Sequence, residues 1–291
     1  MIELRPGQLL TSGTPHQVKL LGALPPLANA AGLAFQNNGN LWVTTLDNLL
    51  LKYTPTQLQN LSVQPHPKPA ATITSSAFGF NIGCTFDAHK NLWIVDAQNE
   101  GVHEISHAQL IAGTADITPA VTITDATDLA SPAFATFDTA GNLWLSSEAN
   151  SEIVEFAAIQ LTTGGTLVPN VIISSPSVDG PGQIAFDTSG NLWVTNSANA
   201  TVAGFTPSQL AASGSPAANV VITVVDGAAT APTPWGLQFD QNNRLWVFDY
   251  TSGDIVKYAP VQLTASGSPT PRITLTGLPL FAAQLAFGPR Y

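Results

Sequence analysis

Apolar and polar positions alternate along the chain in short bursts, and the bursts recur. Between Gln183 and Ile222, "QIAF" alternates as a strand and "DTSGN" is a turn cluster. "NLWVTN" is a second strand, "SANA" a turn, "TVAGF" a third strand and "NVVITVV" a fourth. No 3.6-residue helical period runs through this stretch. Near copies of "FDTSGNLWV" (Phe186–Val194) stand at Phe35–Val43, Phe86–Ile94, Phe137–Leu145 and Phe239–Val247. Their tryptophans, Trp42, Trp93, Trp144, Trp193 and Trp246, are 51, 51, 49 and 53 residues apart. Four short strands in a unit of about 50 residues form the pattern of one β-propeller blade.

The repeated strings have physical roles. Asp-x-x-Gly-Asn closes the hairpin between the first two strands, because Asp bonds nearby backbone and Gly or Asn tolerates positive φ. The following Trp is expected to pack between neighbouring blades. A second string lies between strands three and four: "YTPTQL" (53–58), "ISHAQL" (105–110), "FAAIQL" (156–161), "FTPSQL" (205–210), "YAPVQL" (258–263) and "LRPGQL" (4–9). Thr or Ser, often followed by Pro, with Gln three positions on, is a capping box. Short helical turns are therefore expected, well capped at Thr54, Ser106 and Thr206, and weaker at Arg5, Ala157 and Ala259.

The tails are read as one more unit. "MIEL" at the start aligns with third strands, "HQVKLL" (16–21) with fourth strands and "QLAF" (284–287) with first strands. The expectation is a single all-β domain over 1–291, a six-bladed propeller of four-stranded antiparallel blades. Five full repeats would span about 24–273, and a sixth blade would be shared by 1–23 and 274–291. No sixth "NLW" string exists, so that blade is expected to lack one strand.

"FDTSGNLWVTNSANATVAGF" and its sister segments resemble NHL-type repeats. They are similar to the wider six-bladed group of gluconolactonase-like and virginiamycin B lyase-like proteins. The resemblance covers almost the whole chain and implies fold far more than activity, since such propellers host lactonases, lyases and pure binding proteins.

Composition narrows the partners. Nineteen Asp+Glu against nine Lys+Arg give a net charge of −10, which repels phosphate backbones and argues against nucleic acid. Only 10% of residues are charged and 44% are hydrophobic, enough for a large core. Cys84 is the single cysteine, read as a buried strand residue, so no intramolecular disulfide forms. No apolar run is long enough to span a membrane. The start lacks a signal peptide's basic and apolar regions, and the acidic, Lys-poor composition suggests a bacterial protein that is secreted or periplasmic.

Candidate chemistry falls on one face. Loops between blades and loops joining strands two and three share that face and vary from blade to blade, as binding loops on a rigid scaffold do. The residue three past each Trp is polar: Thr45, Asp96, Ser147, Asn196 or Asp249. Glu148 and Tyr250 follow two of them. Inter-blade loops add Asp125, Asp128, Asp179 and Asp226, with Phe78, Phe80, Phe134, Trp235 and Phe281. Trp235 is the one Trp outside the repeat. The ligand-binding set is Trp235, Asp96, Glu148, Asn196, Asp249, Tyr250, Phe80 and Phe134.

The gluconolactonase-like resemblance implies a Ca²⁺ ion on the axis, for which Asp96, Glu148, Asn196 and Asp249 would be the metal ligands. That family's acidic residue at the start of the first strand has no counterpart here. The lyase-like relatives carry catalytic His on this face, but His16, His66, His89, His103 and His107 all fall elsewhere, and no catalytic residue is assigned. With no Gly-x-Ser-x-Gly elbow either, the leading expectation is a non-catalytic binding or scaffold propeller with no cofactor. Its acidic, aromatic face would take a glycan, a small molecule or a protein segment. The alternatives are a Ca²⁺-dependent lactonase-like hydrolase and a structural or engineered repeat protein without a ligand.

Overall fold

The computed structural model describes residues 2–3, 10–14, 19–20, 27, 29–61, 66–228, 230–278 and 284–288. Strands β1 (Ile2–Glu3) and β2 (Lys19–Leu20) pair only with each other. Blade one then comprises β3 (Ala30–Phe35), β4 (Leu41–Thr45), β5 (Leu50–Tyr53) and β6 (Ala71–Ile73). Blade two has β7 (Asn81–Phe86), β8 (Leu92–Asp96), β9 (Gly101–Ile105) and β10 (Val121–Thr124). Blade three has β11 (Pro132–Phe137), β12 (Leu143–Ser147), β13 (Glu152–Phe156) and β15 (Val171–Ile173), with the short β14 (Gly165–Thr166) reaching back to blade two. Blade four is β16 (Pro181–Phe186), β17 (Leu192–Asn196), β18 (Thr201–Phe205) and β19 (Val220–Thr223). Blade five is β20 (Pro234–Phe239), β21 (Leu245–Asp249), β22 (Ile255–Tyr258) and β23 (Ile273–Leu275).

The expected sixth blade is a correction: the described residues form five four-stranded blades. β1 and β2 make an isolated two-residue ladder, and Gln284–Gly288 forms no strand. The local patterns "MIEL" and "QLAF" look like strands, but a strand exists only where a partner supplies its hydrogen bonds. Arg5, His16 and Phe281 lie outside the described residues.

The core lies between blades, because one small sheet cannot bury its own faces. Trp193, Val202 and Ile222 of blade four pack with Leu237, Val247 and Val256 of blade five, and matching clusters join blades one and two, two and three, and three and four. Trp93, Trp144 and Trp193 each meet the last Phe of the next blade's first strand edge-on, and Trp246 meets Phe287 in the same way, all at 6.1 Å. A buried indole removes about 200 Å² from water, on the order of 5 kcal/mol each.

The capping strings form as expected at α1 (Pro55–Gln59) and α2 (His107–Ala112), where Thr54 and Ser106 close complete boxes. At Ala157 and Ala259 only 3₁₀ turns form. Thr206 is a correction: no helix forms after it, because Gln209 N bonds the Thr206 carbonyl while Thr206 Oγ1 turns to Ser208 Oγ and Gln209 Oε1. The repeated Gln has a second role. Gln57, Gln109, Gln160, Gln209 and Gln262 each donate from Nε2 to a carbonyl 8 to 11 residues on. This ties the helical turn to the start of the next strand.

The Ser-Gly segments after these turns do more than end them. Gly214 and Gly267 bridge in parallel to Ile173 and Ile222, the outer strands of the preceding blades, and β14 does the same to β10. Ser213 and Ser266 hydroxyls accept Ile172 N and Val221 N. At blade five the strap comes from the N-terminal segment: Gly13 bridges Leu275, and Ser12 Oγ accepts Thr274 N at 3.1 Å. Each strap covers an outer edge that would otherwise offer unpaired groups.

Candidate functional site

The axis is filled by side chains. Trp235 reaches from blade five to Phe134 of blade three, ring centroids 5.8 Å apart, across the start of β16. Gly182 permits the close approach of β16 to the β20 backbone beneath this contact, because a β-carbon there would stand 2.6 Å from Trp235 O. Deeper in, Gln183 Oε1 accepts Leu237 N and Leu285 N, both at 3.0 Å, and its Nε2 donates to Leu285 O. Gln284 Oε1 accepts Leu33 N at 2.8 Å while its Nε2 donates to Cys84 O. Two buried amides thus tie blades one, two, four and five to the C-terminal segment. Beyond them lies a cavity of about 230 Å³ opening on the turn face, lined by Phe35, Thr85, Phe86, Gln238 and Phe287 among others.

The polar residues at the ends of the second strands are buried and occupied. Asp96 accepts Gly79 N at 2.6 Å, Phe80 N at 2.9 Å and Asn99 Nδ2 at 2.8 Å, and it meets His103 Nε2 at 3.1 Å. Burial pushes its carboxyl up, but His103 and these donors outweigh burial and hold it well below the usual range. Asn196 accepts Asp179 N and donates to Ser177 O and Thr201 Oγ1. Asp249 accepts Thr233 N at 2.6 Å. Ser147 Oγ donates to Ala130 O, and Thr45 Oγ1 accepts Leu49 N. Asp96, Ser147, Asn196 and Asp249 share the role of fastening the loop entering the blade, whereas Thr45 holds the β4–β5 turn of its own blade, and the sequence shows the polar residue without its partner. Glu148 differs: it is half-buried, and burial raises its carboxyl.

Asp96, Glu148, Asn196 and Asp249 therefore stand at four different strand ends with their own loops, and the axis holds aromatic rings and amides. Among the described residues no three His, Cys, Asp or Glu side chains gather as a metal site would need. His103, placed on a strand by sequence, is buried against Asp96, Thr122 and the ring of Phe78. Its link to Asp96 crosses from strand three to strand two and has no sequence signal. Asp125 and Asp226 open inter-blade loops by accepting Thr127 N and Ala228 N, as Ser75 and Ser175 do in the other loops.

The aromatics divide. Phe134 is fully buried and Trp235 half-buried. Phe80 and Tyr250 are 41% and 53% exposed. Phe80 leads into the strand start that pairs with Asp96, and Tyr250 follows Asp249, so both stand at the loop end of their blades. Leu46 and Val225 are exposed at the same end.

No family model and no curated protein matches the chain. Solved structures do. Virginiamycin B lyase from Staphylococcus aureus aligns with a TM-score of 0.55 at 15% identity, covering 81% of this chain and 69% of that one. A nidogen/laminin complex aligns at 0.60 and 14% identity, covering 85% and 81%. The extracellular domain of the putative one-component system BT4673 from B. thetaiotaomicron aligns at 0.55 and 18%, covering 80% and 29%. Likeness at this identity is likeness of fold: the protein is a β-propeller. No helix among the described residues is long and apolar enough to cross a membrane.

Proposed function

We propose that this chain acts as one domain, an exported, non-catalytic binding propeller whose loop face takes a neutral glycan. The supporting observation is the division of labour on that face. Most of its buried polar groups hold loops, with Asn81 at the start of β7 and Asp125 Oδ2 left without a partner, while Phe80 and Tyr250 are left outward on those loops. Aromatic plates fixed at low entropic cost suit the apolar faces of sugars, and the half-buried Glu148 adds an acceptor for hydroxyl protons. Neighbours described as extracellular domains fit export. The donor geometry lends no support to a Ca²⁺-dependent hydrolase.

Saturation-transfer NMR against a panel of neutral oligosaccharides tests the reading. Transfer to at least one, lost in Tyr250→Ala and Phe80→Ala, is expected. No transfer across the panel, or transfer unchanged in both variants, overturns it.

A further inference from the structure

The loop end of blade five buries three aspartates, Asp226, Asp249 and Asp254, at 6%, 1% and 7% exposure. Ser252 Oγ lies 2.9 Å from Asp226 Oδ2 and 2.6 Å from Asp249 Oδ2, and it accepts Asp254 N at 3.1 Å. Ser252 Oγ thus stands between two carboxyl oxygens. A hydroxyl has one proton and donates to one carboxylate at a time. The other contact would press bare oxygens together unless that carboxyl is protonated.

The backbone decides which one. Asp249 accepts the N–H groups of Thr233, Thr251 and Ser252 at 2.6, 3.0 and 3.1 Å, a set that favours the anion. Asp226 accepts one, from Ala228 at 2.9 Å. Among the described residues, the titratable groups facing Asp226 are Asp249 and Asp254 from the blade-five hairpin and the Tyr258 hydroxyl from β22, and none is a cation. We propose that Asp226 is held as a neutral acid sharing its proton with Asp249, a latch joining hairpin 249–254 to inter-blade loop 226–233. Loss of the proton at higher pH loosens the mount of Tyr250.

The electrostatics agree. Burial and then the Asp249 contact push Asp226 above the carboxylate range. Burial also pushes Asp249 up, but hydrogen bonds from Asp226, Ser252, Thr233 and Thr251 together hold it below. Asp254 is raised by burial and by both neighbours. A carboxyl raised on folding contributes stability that is full at low pH and is lost as pH rises through its folded value. The latch therefore weakens on the alkaline side, opposite to ordinary paired carboxylates. Two buried anions side by side then repel each other.

Only the consequence for binding rests on the glycan reading, and the proton is measured without any ligand. NMR of protein labelled at the Asp carboxyl carbons is followed from about pH 3 to about pH 8, starting below the ordinary Asp value of about 3.9. The Asp226 carboxyl signal is expected to titrate well above that value, with the amides of 250–254 moving in step. In Asp226→Asn, whose amide keeps a donor toward Asp249, that signal is gone and the hairpin amides lose this late step. If the Asp226 carboxyl of the native chain titrates near the ordinary value, or the late step of the hairpin amides survives unchanged in Asp226→Asn, the latch is overturned. The native titration decides even if the variant does not fold. Should glycan binding be absent while the late signal is present, the binding reading fails and the latch stands.

Discussion

In blade four the indole N–H of Trp193 donates to Asp187 Oδ2 at 3.1 Å. In blade one the indole N–H of the fully buried Trp42 has no partner. The hairpins above them are the same. Asp187 N donates to Asn191 O and Gly190 N to Asp187 O, at 2.9 and 3.1 Å; Gln36 N donates to Asn40 O and Gly39 N to Gln36 O, both at 2.8 Å. What differs is one side chain. Asp187 accepts from Ser189 N, Asn191 N, Asn191 Nδ2 and the indole together. Gln36 is longer by one methylene and takes only Asn40 Nδ2, at 3.2 Å. Asp87, Asp138 and Asp240 bond their indoles as Asp187 does. The repeat's aspartate is thus a turn former and the polar anchor of the inter-blade tryptophan, and a turn survives with the first role alone.

Removing the shared anchor should give the largest effect. Asp187→Ala strands four donors, two of them in the hairpin backbone, and is expected to cost about 3 kcal/mol in urea unfolding. Gln36→Ala removes one weak contact and is expected to cost well under about 1 kcal/mol. Equal losses would mean that the four-fold bonding of Asp187 does not stabilise blade four.

Replacing the ring splits the comparison more finely. Trp193→Phe and Trp42→Phe lose similar apolar area, but only the first takes a donor from an aspartate. The extra cost at Trp193 is expected to be about 1 kcal/mol. A Trp42→Phe variant as costly as Trp193→Phe would show that the two indoles are held alike in solution.

The same contrast explains what could be read in advance. Hairpin, tryptophan and helical cap are local, so "DTSGNLW" and "TPTQL" announce themselves at fixed spacing. Partners across the fold do not. The "SGSP" runs are legible as stops, yet their parallel bridges to the preceding blade depend on which chain segment lies alongside. "QLAF" carried a strand's alternation but no partner, and the missing sixth "NLW" was the visible sign that the blade count stops at five. Asp96 and Asp249 stood out as polar residues ending apolar strands, which is how a ligand site and a loop clamp both look. Only the donors around them tell the two apart.

Acid should act on the comparison as well. Burial raises the Asp240 carboxyl, but bonds from Trp246, Arg244 and Asn242 outweigh it and leave it lowered. A lowered carboxyl stabilises above its unfolded value, and the contribution is lost as pH falls through the folded value. Asp240→Asn should therefore flatten the acid side of the stability profile, below about pH 4. A glutamine at position 36 has no such term, so Gln36→Ala should leave the acid limb unchanged. Parallel profiles for wild type and Asp240→Asn would contradict this.

The smallest expected effect is a gain. Gln36→Asp shortens the side chain so that Oδ1 can accept Asn40 N, and Oδ2 the Asn40 amide and the orphaned Trp42 indole. The backbone already has the required form, with Gly39 at φ 82° against 79° at Gly190. One buried donor satisfied is worth about 1 kcal/mol, reduced here by the cost of burying a new charge. The net stabilisation is set at about 0.5 kcal/mol, read as a rise in the urea midpoint with an unchanged slope. Lys52 Nζ stands 5.4 Å from the Trp42 ring, so a cation is close enough to offset part of the new charge. The Trp42 indole proton should also move in the NMR spectrum toward the shifts of Trp93, Trp144, Trp193 and Trp246. A stabilised protein whose Trp42 proton does not move would put the gain in the turn and not at the indole.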